Sequence, residues 1–333
     1  MLLLCRNEEV ANRTAEIGIA TRVRVLRGDA MFQDALSFAW MLRSENPDAL
    51  LLTTFKKSWL GGLAAHLAGV PRTILRVGAL PNKPSGRTYR VALKRWVDVV
   101  VLNANAMRAP LMSALPMVPA QKFITIYDGV EAHKPSNAGQ ALRRELGIGG
   151  DTRLIGSVGR LVKQKRYDRL VRALAELPED VHCVIAGDGS GLDSLRDLAT
   201  QLGVGQRVHL PGFRSDVSAI LDAIDVFVLS SDFEGMANAM LEAMAAGVPV
   251  VSTRVSGAEE ALFAPPDEGD PPGVIAGFEP SDIAAKCERL LSDSSLRQRM
   301  GEAGIKRVRA SFSAEKMIRE WEALLGGKAA PAV

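Results

Sequence analysis

The stretch Asp225-Val226-Phe227-Val228-Leu229-Ser230-Ser231-Asp232-Phe233-Glu234-Gly235-Met236-Ala237-Asn238-Ala239-Met240-Leu241-Glu242-Ala243-Met244-Ala245-Ala246-Gly247-Val248-Pro249-Val250-Val251 decides the fold. Its opening is a short continuous apolar run, the pattern of a parallel strand buried on both faces. A helix of small residues follows, closed by Gly247 and Pro249, and a second apolar strand begins. Glu234 and Glu242 stand eight residues apart at the mouth of this strand–loop–helix unit. Open α/β sheets bind ligands at the carboxyl ends of their strands, so chemistry is expected here.

The same rhythm extends in both directions. Later strands are predicted at Leu154 to Val158, Val181 to Ala186, Arg207 to Leu210, Val226 to Leu229 and Val248 to Thr253, with helices between most of them. Earlier ones are predicted at Asp48 to Thr53, Arg72 to Leu75, Val97 to Leu102 and Lys122 to Ile126, with a helix from Leu60 to Ala68. The rhythm lapses between Gly129 and Gly150, which places a junction there. Amphipathic helices are predicted at Ser281 to Leu291 and Ala314 to Leu325. Strands alternating with helices imply parallel sheets covered on both faces, here two in tandem.

A chain of 333 residues, 47% hydrophobic and 24% charged, is long enough for two such domains and describes a globular protein. No apolar run approaches the roughly 18 residues that span a bilayer. The opening Met1-Leu2-Leu3-Leu4-Cys5-Arg6 lacks the basic segment of a signal peptide. Three scattered cysteines, Cys5, Cys183 and Cys287, point to reduced thiols and a cytoplasmic protein, and the four histidines form no ligand-spaced pair. Residues 1–130 carry 17 Lys/Arg against 9 Asp/Glu, whereas the remainder carries 24 against 29. The basic half suits an anionic partner.

Individual motifs each admit a plain reading. Gly159-Arg160-Leu161, with Lys163-Gln164-Lys165-Arg166 behind it, is either a site where Arg160 and Lys165 neutralise a diphosphate or a solvated basic turn. Ala186-Gly187-Asp188-Gly189-Ser190-Gly191 lacks the dinucleotide spacing and a ribose-binding acid about 20 residues on, which disfavours a dehydrogenase and leaves a tight strand–helix turn. Glu234-Gly235-Met236-Ala237-Asn238 opens a helix whose free amides and positive dipole end suit a phosphate. Glu242 falls about 80° round that helix from Glu234, so both acids border one cleft if Glu234 projects from the loop. The plain alternative makes Glu234 a dipole partner and Glu242 a surface acid.

In combination and in order, the motifs closely resemble the retaining nucleotide-sugar glycosyltransferases of family four (glycosyl transferases group 1). The matching pieces are Ile126-Tyr127-Asp128-Gly129-Val130, Gly159 to Lys165, Ala186 to Gly189, Leu210-Pro211-Gly212-Phe213 and Phe233 to Pro249. The resemblance implies an α/β fold of the GT-B type, two Rossmann-like doubly wound domains facing a cleft. It divides the chain into an acceptor-side domain (1–130), a linker (131–150), a donor domain (151–312), and a C-terminal helix packing back toward the first domain before a flexible tail (313–333). Arg160 and Lys165 are implied to hold the donor diphosphate and stabilise the leaving nucleotide, with Gly159 and Gly187 giving close approach. Gly212, Phe213 and Arg214 would line the base pocket. Glu234 would contact the donor sugar, the amides of Gly235, Met236, Ala237 and Asn238 its hydroxyls and phosphate, and Glu242 the ribose. The implied catalytic residues are Glu234, Arg160 and Lys165, with no metal and no cofactor beyond the nucleotide-diphosphate sugar donor.

The first half matches only from roughly the family's second strand, through Arg22 to Leu26, Asn46 to Leu50 and Gly61 to Pro71, so its domain is expected to be reduced or truncated, without the usual opening strand, Gly-rich loop and helix. A histidine frequent in relatives is replaced by Thr53-Thr54-Phe55-Lys56, and His66 reads as structural. Residues 72–108 hold eight basic residues and one acid, Asp98, with Tyr89, Ala92, Leu93, Trp96 and Val97 at helical spacing. This is either a core-facing helix with a solvated basic side or a patch for anionic lipid or a phosphorylated glycan acceptor. Nucleic acid is disfavoured by scarce aromatics. The expected activity is transfer of a sugar to a glycan or lipid-linked acceptor in cell-envelope polysaccharide or lipopolysaccharide synthesis, at the inner face of a membrane. The alternative is a non-catalytic nucleotide-sugar binder.

Overall fold

The structure, a computed structural model, describes residues 2–5, 8–16, 18, 20–23, 32–80, 86–263 and 269–326. The end of the family-matching segment Arg22 to Leu26, residues 81–85 of the basic segment and the tail after Gly326 lie outside them. The chain divides into two compact units. Met1–Val77, Pro81–Val101 and Leu111–Ile124 form the first; Gly78–Leu80, Leu102–Pro110 and Thr125–Val333 form the second.

Up to residue 125 the elements are β1 (Leu2–Cys5), α1 (Glu8–Ala15), β2 (Ala20–Val23), α2 (Phe32–Glu45), β3 (Ala49–Leu52), α3 (Ser58–Ala68), β4 (Arg72–Val77), α4 (Arg87–Arg95), β5 (Val99–Leu102), α5 (Arg108–Ala114) and β6 (Phe123–Thr125). One sheet has the order β3-β4-β5-β6, and β1 pairs in parallel with β2 as a separate two-stranded sheet. The buried positions 35, 38, 39 and 42 of α2 recur at helical spacing and meet Leu60, Leu63 and Ala64 of α3. Leu4 of β1 and Leu50 of β3 pack on this same cluster. On α4, Ala92 and Leu93 are fully buried, whereas Arg90, Lys94 and Arg95 are exposed. His66 is exposed on α3, its ring stacked on Trp96.

The elements that follow are α6 (Ala138–Glu145), β7 (Arg153–Val158), α7 (Tyr167–Ala175), β8 (Val181–Ala186), α8 (Leu192–Gln201), β9 (Val208–Gly212), α9 (Val217–Ala223), β10 (Val226–Leu229), α10 (Asn238–Ala245), β11 (Val250–Thr253), α11 (Ser256–Leu262), β12 (Gly273–Ala276), α12 (Pro280–Ser292), α13 (Ser294–Ser311) and α14 (Ala314–Leu325). Their sheet has the order β12-β11-β10-β7-β8-β9, and every neighbouring pair is parallel. All four residues of β10 are buried, as expected of an inner strand covered by helices on both faces. From β7 the chain winds outward through β8 and β9, then returns to the other side of β7 as β10. The reversal between β7 and β10 is a topological switch point, where such sheets bind ligands.

Several segments of the second unit differ from the sequence expectation. Residues 131–150 hold α6, whose Gly139 fits against the backbone of Asp222 and Ala223 in α9. The strand expected from Val248 starts at Val250, because Val248 still bonds back to the end of α10 through the Ala243 carbonyl. The long helix α13 and the short strand β12 were not anticipated. The start of α14 is fixed by Val130, which bonds Phe312 and Ala314 on either side of Ser313. No described helix is long and apolar enough to cross a membrane.

Candidate active site

The segments after β7, β8 and β9 place three of the sequence-predicted glycines side by side. The Gly159 amide donates to the Ala186 carbonyl at 3.0 Å, and the Gly187 amide to the Gly212 carbonyl at 2.8 Å. Gly187 has φ +152°, and a Cβ there would run into the Gly159 carbonyl. The result is a ledge of bare backbone along the carboxyl ends of the strands, close-packed at Gly187 because no Cβ fits there. Gly187→Ala is therefore expected to cost about 2–4 kcal/mol, from backbone strain plus overpacking. A melting temperature within 1 °C of wild type would contradict this account of the ledge.

Beyond the ledge, Lys165 Nζ pairs with Glu234 Oε1 at 2.7 Å, with only 16% and 12% of the two side chains exposed. Ser231 Oγ donates to the same carboxylate oxygen at 2.8 Å. The ammonium stands 3.8 Å from where a Cβ on Gly159 would lie. A lysine and a carboxylate 69 residues apart thus converge at the switch point, one after β7 and one after β10. Arg160, adjacent to Gly159, is exposed and makes no ion pair with a described residue.

The two loops that carry this pair are stitched together. The Asp232 amide donates to the Gln164 carbonyl at 2.9 Å, and Gln164 Nε2 to the Phe233 carbonyl at 2.8 Å. Ser230 Oγ donates to the Lys165 carbonyl at 2.9 Å. Asp232 also takes an ion pair from buried Arg169 at 2.7 Å and one from Arg166 at 3.2 Å. Arg169 bonds the Ser230 carbonyl as well and lies 4.9 Å over the Phe278 ring. Arg166 adopts φ +49°, uncommon for a side-chain-bearing residue, and two carboxylates, Asp168 and Asp232, hold it there.

Next comes the open end of α10. Its N-cap is Ala237, and no side chain caps the first amides. Gly235, Met236 and Ala237 are buried and Asn238 is exposed. Gly235 fits where no Cβ is possible, against the Gly78 carbonyl and Asn103 Oδ1, and Asn103 in turn donates to Asp128 at 2.8 Å. Glu242 sits one turn into α10, half-buried, and burial raises its carboxyl above the ordinary range. No described side chain pairs with it. Tyr167, buried beneath Gly159, has its phenol pushed up by burial.

Of the predicted residues, the structure brings together Gly159, Lys165 and Glu234, with Gly187 and Gly212 along the ledge. Phe213 is 75% exposed beyond Gly212. Arg214 is engaged by Asp216 at 2.8 Å and by Glu145 at 2.6 Å. Sequence reasoning missed Ser231, Asp232 and Arg169, whose importance rests on contacts across more than 60 positions for the last two. Ser231 carried a weak signal, as a hydroxyl ending an apolar strand. Among the described residues, no group of three or more His, Cys, Asp or Glu is arranged to hold a metal ion.

Comparison with known proteins bears on the family and the fold. Residues 139–307, from α6 into α13, match the family model for glycosyl transferases group 1. The chain is 36% identical over 288 residues to the lipopolysaccharide core biosynthesis glycosyltransferase LpsE of Rhizobium meliloti (strain 1021), covering 86% of this chain and 78% of that protein. It is 27% identical over 298 residues to LpsD, also a lipopolysaccharide core biosynthesis glycosyltransferase, of the same organism, covering 89% and 75%. In fold it is similar to the crystal structure of Anabaena Alr3699/HepE in complex with UDP-glucose, with a TM-score of 0.85 at 20% identity over 98% of this chain and 91% of that one. The α/β fold with two Rossmann-like units is thus of the GT-B type. The chain belongs to the glycosyl transferases group 1 family.

Proposed function

We propose that the protein is a retaining, metal-independent glycosyltransferase. It moves a sugar from a nucleotide-diphosphate donor to a glycan or lipid-linked acceptor of the cell envelope, the lipopolysaccharide core included, from the cytoplasmic side of the membrane. The observation that carries this reading is the Lys165–Glu234 pair at the switch point, flanked by Arg160, which has no ion-pair partner among the described residues, and by the start of α10, which no side chain caps. The names of LpsE and LpsD support the envelope assignment, and the UDP-glucose held by the HepE structure supports a nucleotide-sugar donor.

In this reading Arg160 and Lys165 take the diphosphate, and the amides of Gly235 to Asn238 take sugar hydroxyls and phosphate. Fixed cations and a helix end then do the work otherwise given to a metal. Glu242 accepts hydrogen bonds from the ribose hydroxyls, and Phe213 offers its exposed ring to the base. The C1–O bond to the β-phosphate breaks and its electron pair leaves with the nucleoside diphosphate. The acceptor oxygen bonds to C1 on the same face, and its proton passes to the departing phosphate oxygen. Glu234 contacts the donor sugar once the diphosphate has drawn Lys165 away.

Thermal-shift screening against UDP-, GDP- and ADP-sugars tests the donor assignment. A ligand at about 100 times its Kd stabilises the fold by about 2.7 kcal/mol, enough to raise the melting temperature by several degrees. The matching donor is expected to do so equally in excess EDTA. No shift with any of the three would overturn the donor site, and NMR of the product anomer would decide retention. A shift without turnover on any acceptor would instead favour a non-catalytic binder.

A further inference from the structure

Gly235, which begins the row of amides at the start of α10, is boxed in on two sides. The Gly78 carbonyl and Asn103 Oδ1 fill the space that a Cβ would need. On the other side, the Gly235 carbonyl lies where a Cβ on Gly257 of α11 would stand. Asn103 is buried, and its Nδ2 donates to Asp128 at 2.8 Å. Its Oδ1 has no hydrogen-bond partner among the described residues, so packing sets its distance from Gly235. The place of Gly235 therefore depends on how Asn103 and Gly257 are held relative to each other.

One carboxylate joins them. Glu260 stands three residues beyond Gly257 on α11. Its Oε1 accepts the Asn105 amide at 3.1 Å and its Oε2 the Ala106 amide at 3.2 Å. These amides open a single helical turn, Asn105–Met107, whose N-cap is Ala104 and which has no side-chain cap there. A glutamate 155 positions away satisfies these otherwise orphaned donors. Tyr127 donates its hydroxyl to the same carboxylate. Burial and then this hydrogen bond push the phenol well above its ordinary range, so it stays a donor. The Glu260 main chain is held too: Arg307 donates to its carbonyl at 3.1 Å. The Arg307 guanidinium lies 5.7 Å over the Phe312 ring, and Phe312 meets Tyr127 edge-on at 5.1 Å. The contacts thus close into a ring that begins and ends at Glu260.

We propose that Glu260, with Tyr127 behind it, is a positioning residue for sugar transfer. It holds Gly235, and with it the amides of Met236 to Asn238, in register with Lys165 and Glu234. It acts through the backbone that it braces and not by contact with the donor. The segment Ile126 to Val130 acquires a task in this way: Tyr127 reaches Gly235 through Glu260, and Asp128 reaches it through Asn103. The inference rests on the donor site proposed above, which is why the position of these amides matters.

The test is steady-state transfer by the whole chain, run well below each variant's melting temperature with whichever of the UDP-, GDP- and ADP-sugars stabilises wild type. Misplacement of reacting groups by a fraction of an ångström to 1 Å costs up to about a hundredfold, so Glu260→Gln should lower kcat by about 10–100-fold. The donor KM should stay within threefold, a split that simple loss of folded protein would not give. Tyr127→Phe, a milder change, should lower kcat in the same direction. The double variant should be no slower than Glu260→Gln alone, because both act through one carboxylate. Amide exchange of the unliganded chain gives a readout without donor. Residues 235–241 should exchange about tenfold faster in Glu260→Gln, the worth of a hydrogen bond to a charged group, while α8 keeps its wild-type rates. A kcat within threefold of wild type in Glu260→Gln would overturn the proposal and leave the donor site standing. Additive losses in the double variant, or unchanged exchange at 235–241, would overturn it as well. Absence of a thermal shift in wild type with all three sugar nucleotides would instead overturn the donor site, and this proposal with it.

Discussion

Lys165→Ala is expected to lower sugar transfer by about 10²–10³-fold, the usual loss when one preorganised charge facing a developing anion is removed. The donor's Kd should change far less, because in the proposed site Arg160 and the start of α10 would still face the diphosphate. The same substitution strips Glu234 of its 2.7 Å partner and leaves a largely buried carboxylate with only the Ser231 hydroxyl. An uncompensated charge of this kind costs about 1–3 kcal/mol. Adding Glu234→Gln should restore most of that stability, since a neutral amide keeps the Ser231 contact, but it should not restore turnover. A single variant that transfers sugar within threefold of wild type would remove Lys165 from the reaction.

Glu242→Gln is expected to weaken nucleotide binding by roughly ten- to a hundredfold while leaving the protein as stable or more stable at neutral pH. The loss corresponds to a charge-assisted hydrogen bond to ribose, worth about 1.5–3 kcal/mol. The stability effect follows from burial. Glu242 has no described partner, and burial raises its folded-state pKa above the ordinary 4.5. The folded chain then binds this proton more tightly than the unfolded chain. The contribution to stability is fully present below about pH 4.5 and is lost as pH rises through the folded pKa. Wild type should therefore lose stability across that window relative to Glu242→Gln, as calorimetry at pH 4 and pH 7 would show. Parallel pH dependence in the two proteins would contradict the burial argument.

The strands of the second unit were legible because inner parallel strands read as unbroken apolar runs. Val181 to Ala186 and Val226 to Leu229 appear in the structure with unchanged bounds. The helix α13 was not legible because its sequence is polar and carries Gly301 and Gly304, which read as breaks. Both glycines are needed for close packing: a Cβ on Gly301 would strike the Gly247 carbonyl, and one on Gly304 would crowd Met244. The four-residue strand β12 begins at a glycine after a proline-rich stretch, too short for periodicity to show. In the site, the glycines and the two glutamates announced themselves through local spacing. The Lys165–Glu234 and Arg169–Asp232 pairs did not, because nothing local couples residues more than 60 positions apart.

The stitching of the two loops bears on how this chain could be recombined with its relatives. A splice placed in one of the turns between α7 and β10 looks harmless from the sheet alone. It would nonetheless take Arg169 from one parent and Asp232 from the other. A hybrid lacking Asp232 would bury Arg169 without its carboxylate, and one lacking Arg169 would leave Asp232 with Arg166 alone. Shuffled chains that keep both residues from the same parent should dominate any library selected for folding. The segment from Gln164 to Phe233 is then expected to be inherited as one block, its ends joined by the hydrogen bond from Gln164 to the Phe233 carbonyl.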